Sequence, residues 1–166
     1  MSYENRSSNT QYGKGQHHRQ EEKQVKIVER IGNFYDSAGN VREDLFSKYA
    51  EDVAKSLSVP SSKAGVSSTQ LRRLFNEVKR YDRLLNENDS KSWKEQYPYI
   101  KMIKSKVHYA AARAKKNAKR ETQECYDNLI RFVSEGIDLI KTQKDYQIFS
   151  SLFEAVYGFY YEKKPE

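Results

Sequence analysis

Long segments of this chain combine apolar residues at helical spacing with almost no helix-breaking residues, and this combination constrains the fold most. The 166 residues include only 7 glycines and 3 prolines, too few for a turn-rich β fold. Six large side chains between positions 142 and 161 fall on one helical face: Tyr146, Phe149, Leu152, Phe153, Val156 and Tyr160. This face is broader than a surface helix needs, so it predicts a helix at the centre of the fold or in a subunit contact.

The same spacing, read along the chain, predicts an all-α protein, a compact bundle of about five helices. Turn signals and apolar faces place the helices at about 41–58, 67–85, 91–117, 121–140 and 142–161. Ser67 and Gln70 have the spacing of a capping box at the start of the second helix. Pro98 predicts a bend or restart in the third helix, because proline lacks the amide donor.

The N-terminal residues differ in composition from the rest of the chain. Residues 1–24 are polar and offer almost nothing to bury, so we expect a flexible arm in which His17 and His18 are solvated. Residues 25–166 contain enough aromatic bulk for a core and predict a single helical-bundle domain. The short pattern in residues 25–35 assigns no element.

The sequence lacks the residues that several functional classes of protein require. The single cysteine, Cys125, excludes an internal disulfide and a multi-cysteine zinc site. No apolar run reaches the roughly 18 residues of a membrane helix, and no secretory signal is visible, so we expect a soluble, most simply cytoplasmic protein. The chain has no phosphate-binding glycine loop, His-Glu-x-x-His motif or nucleophile elbow. We therefore predict no enzyme activity, no cofactor and no metal.

Positive charge is concentrated in residues 67–120, which we call the basic hairpin. This segment holds 15 of the 30 lysines and arginines but only 5 of the 23 acidic residues, a local charge of +10. Such a concentration favours a polyanionic partner, because an unneutralised cationic surface repels itself. The planar guanidinium group of arginine can donate two parallel hydrogen bonds to phosphate oxygens. A surface of this kind predicts RNA or DNA binding with little sequence preference and steep salt dependence.

Helical spacing divides these cations into stripes. In the second helix Arg72, Asn76, Lys79 and Arg83 share one solvent-facing stripe, flanked by Arg73 and Arg80. In the third helix Lys101, Lys104, His108 and Lys115 form another. We expect the two stripes to form one shared outward surface.

Three blocks within the chain are similar to a known family. Residues 68–78, STQLRRLFNEV, resemble the Ser-x-Gln-Leu-Arg-x-Phe-Tyr-Asn-Glu-Val block of the small subunit of type III-A CRISPR effector (Csm) complexes. Residues 104–113, KSKVHYAAAR, resemble its Lys-Pro-Lys-x-x-Tyr-Ala-Ala-Gly-Arg block, and residues 149–160, FSSLFEAVYGFY, its C-terminal Phe-x-x-x-Phe-Glu-Ala-x-x-Ala-Tyr block. The three blocks stand in the family order.

This resemblance implies a compact all-α subunit without catalytic activity of its own. It implies several copies stacked in a filament beside the backbone subunit and the other Csm subunits, along the duplex of guide RNA and target RNA. The family's basic motif positions fall on Arg72, Lys79, Lys104, Lys106 and Arg113. The helical stripes alone add Arg73, Asn76, Arg80, Arg83, Lys101, Lys115, Lys116 and Lys119 as candidate RNA-binding residues.

Other functional classes remain open on the sequence. The chain could be a free-standing, non-specific RNA- or DNA-binding helical protein, or an adaptor whose basic face docks an acidic protein. A nuclease is the least favoured alternative, because Glu77 and Asp82 sit among arginines and suit salt bridges better than a paired-carboxylate site.

Overall fold

The computed structural model describes residues 24–60, 62–87 and 91–163. Five α-helices occupy Ala50–Ser56 (α1), Ser68–Glu87 (α2), Lys91–Lys115 (α3), Arg120–Leu139 (α4) and Gln143–Lys163 (α5). A π-helical turn, Leu45–Tyr49, leads into α1. Within these residues there are isolated bridges but no named strand, and the all-α prediction is confirmed. The arm predicted for residues 1–24 lies outside the described residues, apart from Gln24.

Helix α5 packs against α1, α2 and α4, while α3 packs against α2 and α4. The predicted broad face of α5 is buried, from Tyr146 to Tyr160. Its Phe149 and Phe153 rings lie 6.0 Å and 5.7 Å from the ring of Phe132 on α4, centroid to centroid. Buried aromatic rings remove much apolar area from water, so α5 supplies a large part of the core. None of the helices in the described part is long and apolar enough to cross a membrane.

Gly136 of α4 lies directly against Phe149 of α5. A Cβ atom added to this glycine would lie 2.2 Å from Cε2 of Phe149. The absence of a side chain at this position lets the ring rest directly on the α4 backbone.

Residues 24–34, which we call the strap, form a segment without regular secondary structure that contacts α4. Every third residue from Val25 to Phe34 is buried. Asn128 of α4 accepts the Val28 amide at 3.0 Å on Oδ1, and its Nδ2 donates to the carbonyl of Lys26 at 2.9 Å. Asn128 therefore satisfies both a donor and an acceptor of this segment, which the sequence left unassigned, and Glu135 accepts a further strap amide, that of Ile31, at 3.2 Å.

Helical structure begins later than predicted, with the π-helical turn at Leu45 rather than at residue 41. The side chain of Asp36 accepts the amides of Ala38 and Asn40, each at 2.9 Å, and Gly39 has a φ of 83°. This Asx turn pairs Tyr35 with Val41 in an antiparallel bridge, so residue 41 belongs to the turn.

The third helix is continuous through Pro98, so the predicted restart is wrong. Proline removes the donor that would bond the carbonyl of Lys94. Both residues are exposed, so water can take the place of that donor.

The start of α2 is not capped as predicted. The Tyr126 hydroxyl accepts the Ser67 amide at 3.0 Å and donates to Oε1 of Gln70 at 2.6 Å, so it stands between the two residues of the predicted capping box. A reciprocal box begins α5 instead. Asp145 accepts the Thr142 amide at 2.9 Å and donates its own amide to the Thr142 hydroxyl at 3.2 Å.

Candidate nucleic-acid interface

The predicted stripe on α2 turns partly toward α5. Arg72 Nε donates to the Tyr157 hydroxyl at 3.3 Å. Lys79 Nζ lies 3.0 Å from the carboxylate of Glu154 and 3.1 Å from that of Asp82. Burial opposes the charge of Lys79, but these two carboxylates outweigh it and raise its pKa. Lys79 therefore ties α2 to α5 as a permanently charged internal partner.

The predicted stripe on α3 turns toward α4. Lys101 Nζ donates to the carbonyls of Ile137 and Ile140, at 2.6 Å and 3.3 Å, at the C-terminal end of α4. Lys104 pairs with Asp138 at 2.6 Å. Cations in this position bind the free carbonyls of a helix end and complement its dipole.

The remaining members of that stripe show the same orientation. Lys115 pairs with Asp127 of α4, and His108 Nε2 lies 3.4 Å from the Ser134 hydroxyl. Since one stripe faces α5 and the other faces α4, they lie on opposite flanks of the basic hairpin. The expectation of one shared stripe surface is wrong, because α3 is packed between α2 and α4 and the carboxylates of α4 draw the lysines to that side.

The open face between α2 and α3 carries a different set of residues. Lys106 of α3 pairs with Oε1 of Glu77, and Arg80 lies 3.3 Å from the same oxygen. Burial opposes the charge of Glu77, but the two cations outweigh it and lower its pKa. Arg80 also stacks over the Tyr81 ring, 4.5 Å from its centroid. Asn76, a member of the α2 stripe, is exposed.

A cleft of about 480 Å³ opens on this face. Its floor is apolar and consists largely of small or aliphatic side chains, namely Leu74, Val107, Ala110, Ala114 and Leu129. Arg73 comes to its rim from α2, and Tyr109 and Arg113 come from α3. The Arg113 guanidinium lies 5.8 Å from the centroid of the Tyr109 ring.

The basic hairpin also presents cations that the described residues do not neutralise. Every lysine and arginine between positions 24 and 60 has a carboxylate within 4.0 Å. Within the described ranges, the following exposed hairpin cations have no such partner: Arg73, Arg83, Arg113, Lys116 and Lys119. The hairpin therefore keeps positive charge that no carboxylate among the described residues offsets.

Sequence reasoning missed the aromatic residues beside these cations. Tyr99, Met102 and Tyr109 of α3 are 54 %, 49 % and 66 % exposed. Met102 and Tyr109 are seven residues apart, away from the buried face of Ile103 and Val107. That spacing is a sequence signal for an exposed apolar strip beside the charged residues of this helix. Over residues 24–60, 62–87 and 91–163, no group of three metal-ligating side chains is placed to hold an ion.

The sequence is similar to a known protein family over most of its length. The family model described as Csm2 Type III-A matches residues 40–164, from the turn before α1 to the end of α5. No curated protein and no solved structure matches the chain.

Proposed function

The chain belongs to the Csm2 Type III-A family, whose members are structural subunits of the type III-A CRISPR (Csm) complex, and from this premise we propose that it binds RNA. It does so as one of several copies stacked along the duplex of guide RNA and target RNA. It contacts the sugar–phosphate backbone without sequence preference and catalyses no step itself. Family membership makes the other subunits of the Csm complex its protein partners.

One observation supports RNA as the partner of this surface. The basic hairpin carries exposed cations without a carboxylate partner among the described residues, such as Arg83 on α2 and Lys116 in the turn after α3, whereas the cations between positions 24 and 60 are all paired. Binding of a polyanion to unpaired cations releases its counterions without breaking internal ion pairs. In an RNA-guided complex base pairing reads the sequence, so a protein surface that holds only the backbone is sufficient.

Matched pairs of neutralising substitutions test this proposal. Arg83→Gln with Lys116→Gln removes two exposed charges from the hairpin. Lys63→Gln with Lys141→Gln removes two exposed charges elsewhere. We expect the hairpin pair alone to weaken binding of single-stranded RNA of any sequence and to reduce the salt slope, by about 0.7 per lost phosphate contact. Equal effects of the two pairs, or unchanged RNA affinity in both, would contradict the proposal and favour an adaptor for an acidic protein.

Purification from cells with an intact CRISPR operon tests the assembly. A tagged chain should elute in a large particle that carries a discrete guide RNA and the other Csm subunits. Recovery of the chain only as a free species that binds RNA would instead support an independent RNA-binding protein.

A further inference from the structure

The cleft between α2 and α3 combines features that plain backbone binding does not require. Its volume of about 480 Å³ falls within the range of roughly 300–1,000 Å³ typical of small-molecule sites. Its floor is apolar, while two arginines and a tyrosine stand at its rim. A surface that only neutralises phosphates needs neither the depth nor the apolar floor.

We propose that this cleft holds one unpaired nucleotide of an RNA strand, with the base over the apolar floor beside Tyr109 and the phosphate on Arg73 and Arg113. This assignment rests on the proposed function, since the nucleotide belongs to a strand that the basic hairpin binds. A base within a duplex is stacked and paired, so only an unpaired nucleotide can enter a cleft between two helices.

The rim residues have their binding groups available. Neither Arg73 nor Arg113 has a carboxylate partner among the described residues, so both guanidinium groups can donate to phosphate oxygens. The Tyr109 ring is 66 % exposed, and its π-face can stack on any base, as aromatic side chains do in proteins that bind single strands. The nearby Arg113 guanidinium keeps positive charge beside that ring.

The cleft wall also offers hydrogen-bonding groups to the edge of a base. Tyr126 donates to Oε1 of Gln70 at 2.6 Å, which fixes the amide and leaves its nitrogen as a donor. Lys106 and Arg80 both approach Oε1 of Glu77, so Oε2 retains its capacity to accept an amino group of a base. A lone phosphate would leave the apolar floor without a partner, and an apolar peptide would leave the arginines and these hydrogen-bonding groups without one.

Two tyrosines of α3 provide a matched test. Tyr109→Leu removes the aromatic ring at the cleft, and Tyr99→Leu removes an exposed ring of the same helix that does not line it. Binding is measured for a single-stranded RNA and for a fully paired RNA of equal length. We expect Tyr109→Leu to weaken single-strand binding about 5- to 150-fold, the range for loss of one base–aromatic stack, and to leave duplex binding within about twofold. Tyr99→Leu should leave both unchanged.

A second variant tests the cleft without altering its rim. Ala110→Leu fills the floor and keeps every charge, so it should reproduce the selective loss of single-strand binding. Thermal unfolding of each variant checks that the fold is retained. If Tyr109→Leu resembled Tyr99→Leu, or weakened both RNAs equally, the cleft would be an ordinary part of the backbone surface and the proposal would fall.

The outcomes also separate this inference from the proposed function. Loss of binding in the Arg83/Lys116 pair without a single-strand effect of Tyr109→Leu overturns only the cleft assignment. Absence of RNA binding by the unaltered protein overturns both. Free nucleoside monophosphates serve as competitors. If they displaced the strand at equal concentration, the ligand would be a free nucleotide and the assignment to a strand would be wrong.

Discussion

Substitution of Gly136 by alanine tests the packing of α4 against α5. The new Cβ would lie 2.2 Å and 2.5 Å from two ring carbons of Phe149, whereas ordinary contacts begin near 3.4 Å. The ring would therefore have to move by more than 1 Å. It is fully buried and bounded by other rings, with Phe132 6.0 Å and Phe153 6.1 Å away between centroids, so no free space is available to it.

Two opposing terms determine the size of the effect. Overpacking a dense core destabilises by about 1–3 kcal/mol. Replacement of glycine by alanine inside a helix stabilises the fold by up to about 1 kcal/mol, because alanine has the higher helix propensity. Because the overlap exceeds 1 Å and the ring is enclosed, the cost should lie in the upper part of the overpacking range, at about 2–3 kcal/mol. After subtraction of about 1 kcal/mol for helix propensity, we expect Gly136→Ala to lower the free energy of unfolding by about 1–2 kcal/mol and the Tm by roughly 2–8 °C.

Gly158→Ala on α5 is the matched control. This glycine is exposed, and an added Cβ would meet nothing within 4 Å, so the helix-propensity gain of about 0.5–1 kcal/mol should appear alone. Urea unfolding followed by circular dichroism measures both variants. Adding Phe149→Leu to Gly136→Ala should give a non-additive, partial recovery. A Gly136→Ala protein as stable as the unaltered chain would refute the close approach on which this reasoning rests.

Three further predictions concern buried polar contacts and can be measured by denaturant unfolding. Asn128→Ala should lower stability by about 2–3 kcal/mol, because it leaves strap amide and carbonyl groups unpaired, while Asn76→Ala at an exposed site should change it by less than about 0.5 kcal/mol. Lys101→Met should lower stability by about 1–2 kcal/mol, because the end of α4 loses its cap, and should leave RNA affinity unchanged. Lys116→Met should instead lower RNA affinity and leave stability unchanged. Burial opposes the charge of Asp145, but hydrogen bonds from Tyr35, Lys141 and Thr142 outweigh it and lower its pKa. The stability that the Asp145 carboxylate contributes should therefore be fully present above its unfolded pKa of about 4 and decline as the pH falls below that value. The decline should be less steep in Asp145→Asn. Identical pH profiles of the two proteins would contradict this origin.

The helices could be predicted because their signals are local. The broad face of α5 follows directly from spacing of three and four, which any helix imposes on its side chains. The strap could not be predicted, since its order comes from Asn128, a hundred residues away. The same holds for Tyr126, which takes over the predicted cap between Ser67 and Gln70.

The candidate site shows the same limit. Helical spacing placed Lys101 and Arg83 correctly on the non-core sides of their helices, but it carries no information about which neighbouring helix lies beside each side chain. The lysines of α3 turn toward α4 because the free carbonyls at its C-terminal end and the carboxylate of Asp138 bind them. The cleft itself depends on the juxtaposition of α2 and α3, which no single-helix pattern contains. Whether its rim residues bind RNA stays a prediction.

The strap has a consequence for how the chain reaches its native state. Its contacts with Asn128 and Glu135 join residues 100 and 104 positions apart, and contacts of such separation form late because a long loop must close first. During synthesis the strap leaves the ribosome well before its binding site on α4 exists, so its apolar side chains stay exposed until α4 has formed. We expect the strap to dock last in refolding, and its amides to gain protection from hydrogen exchange after those of α4 and α5.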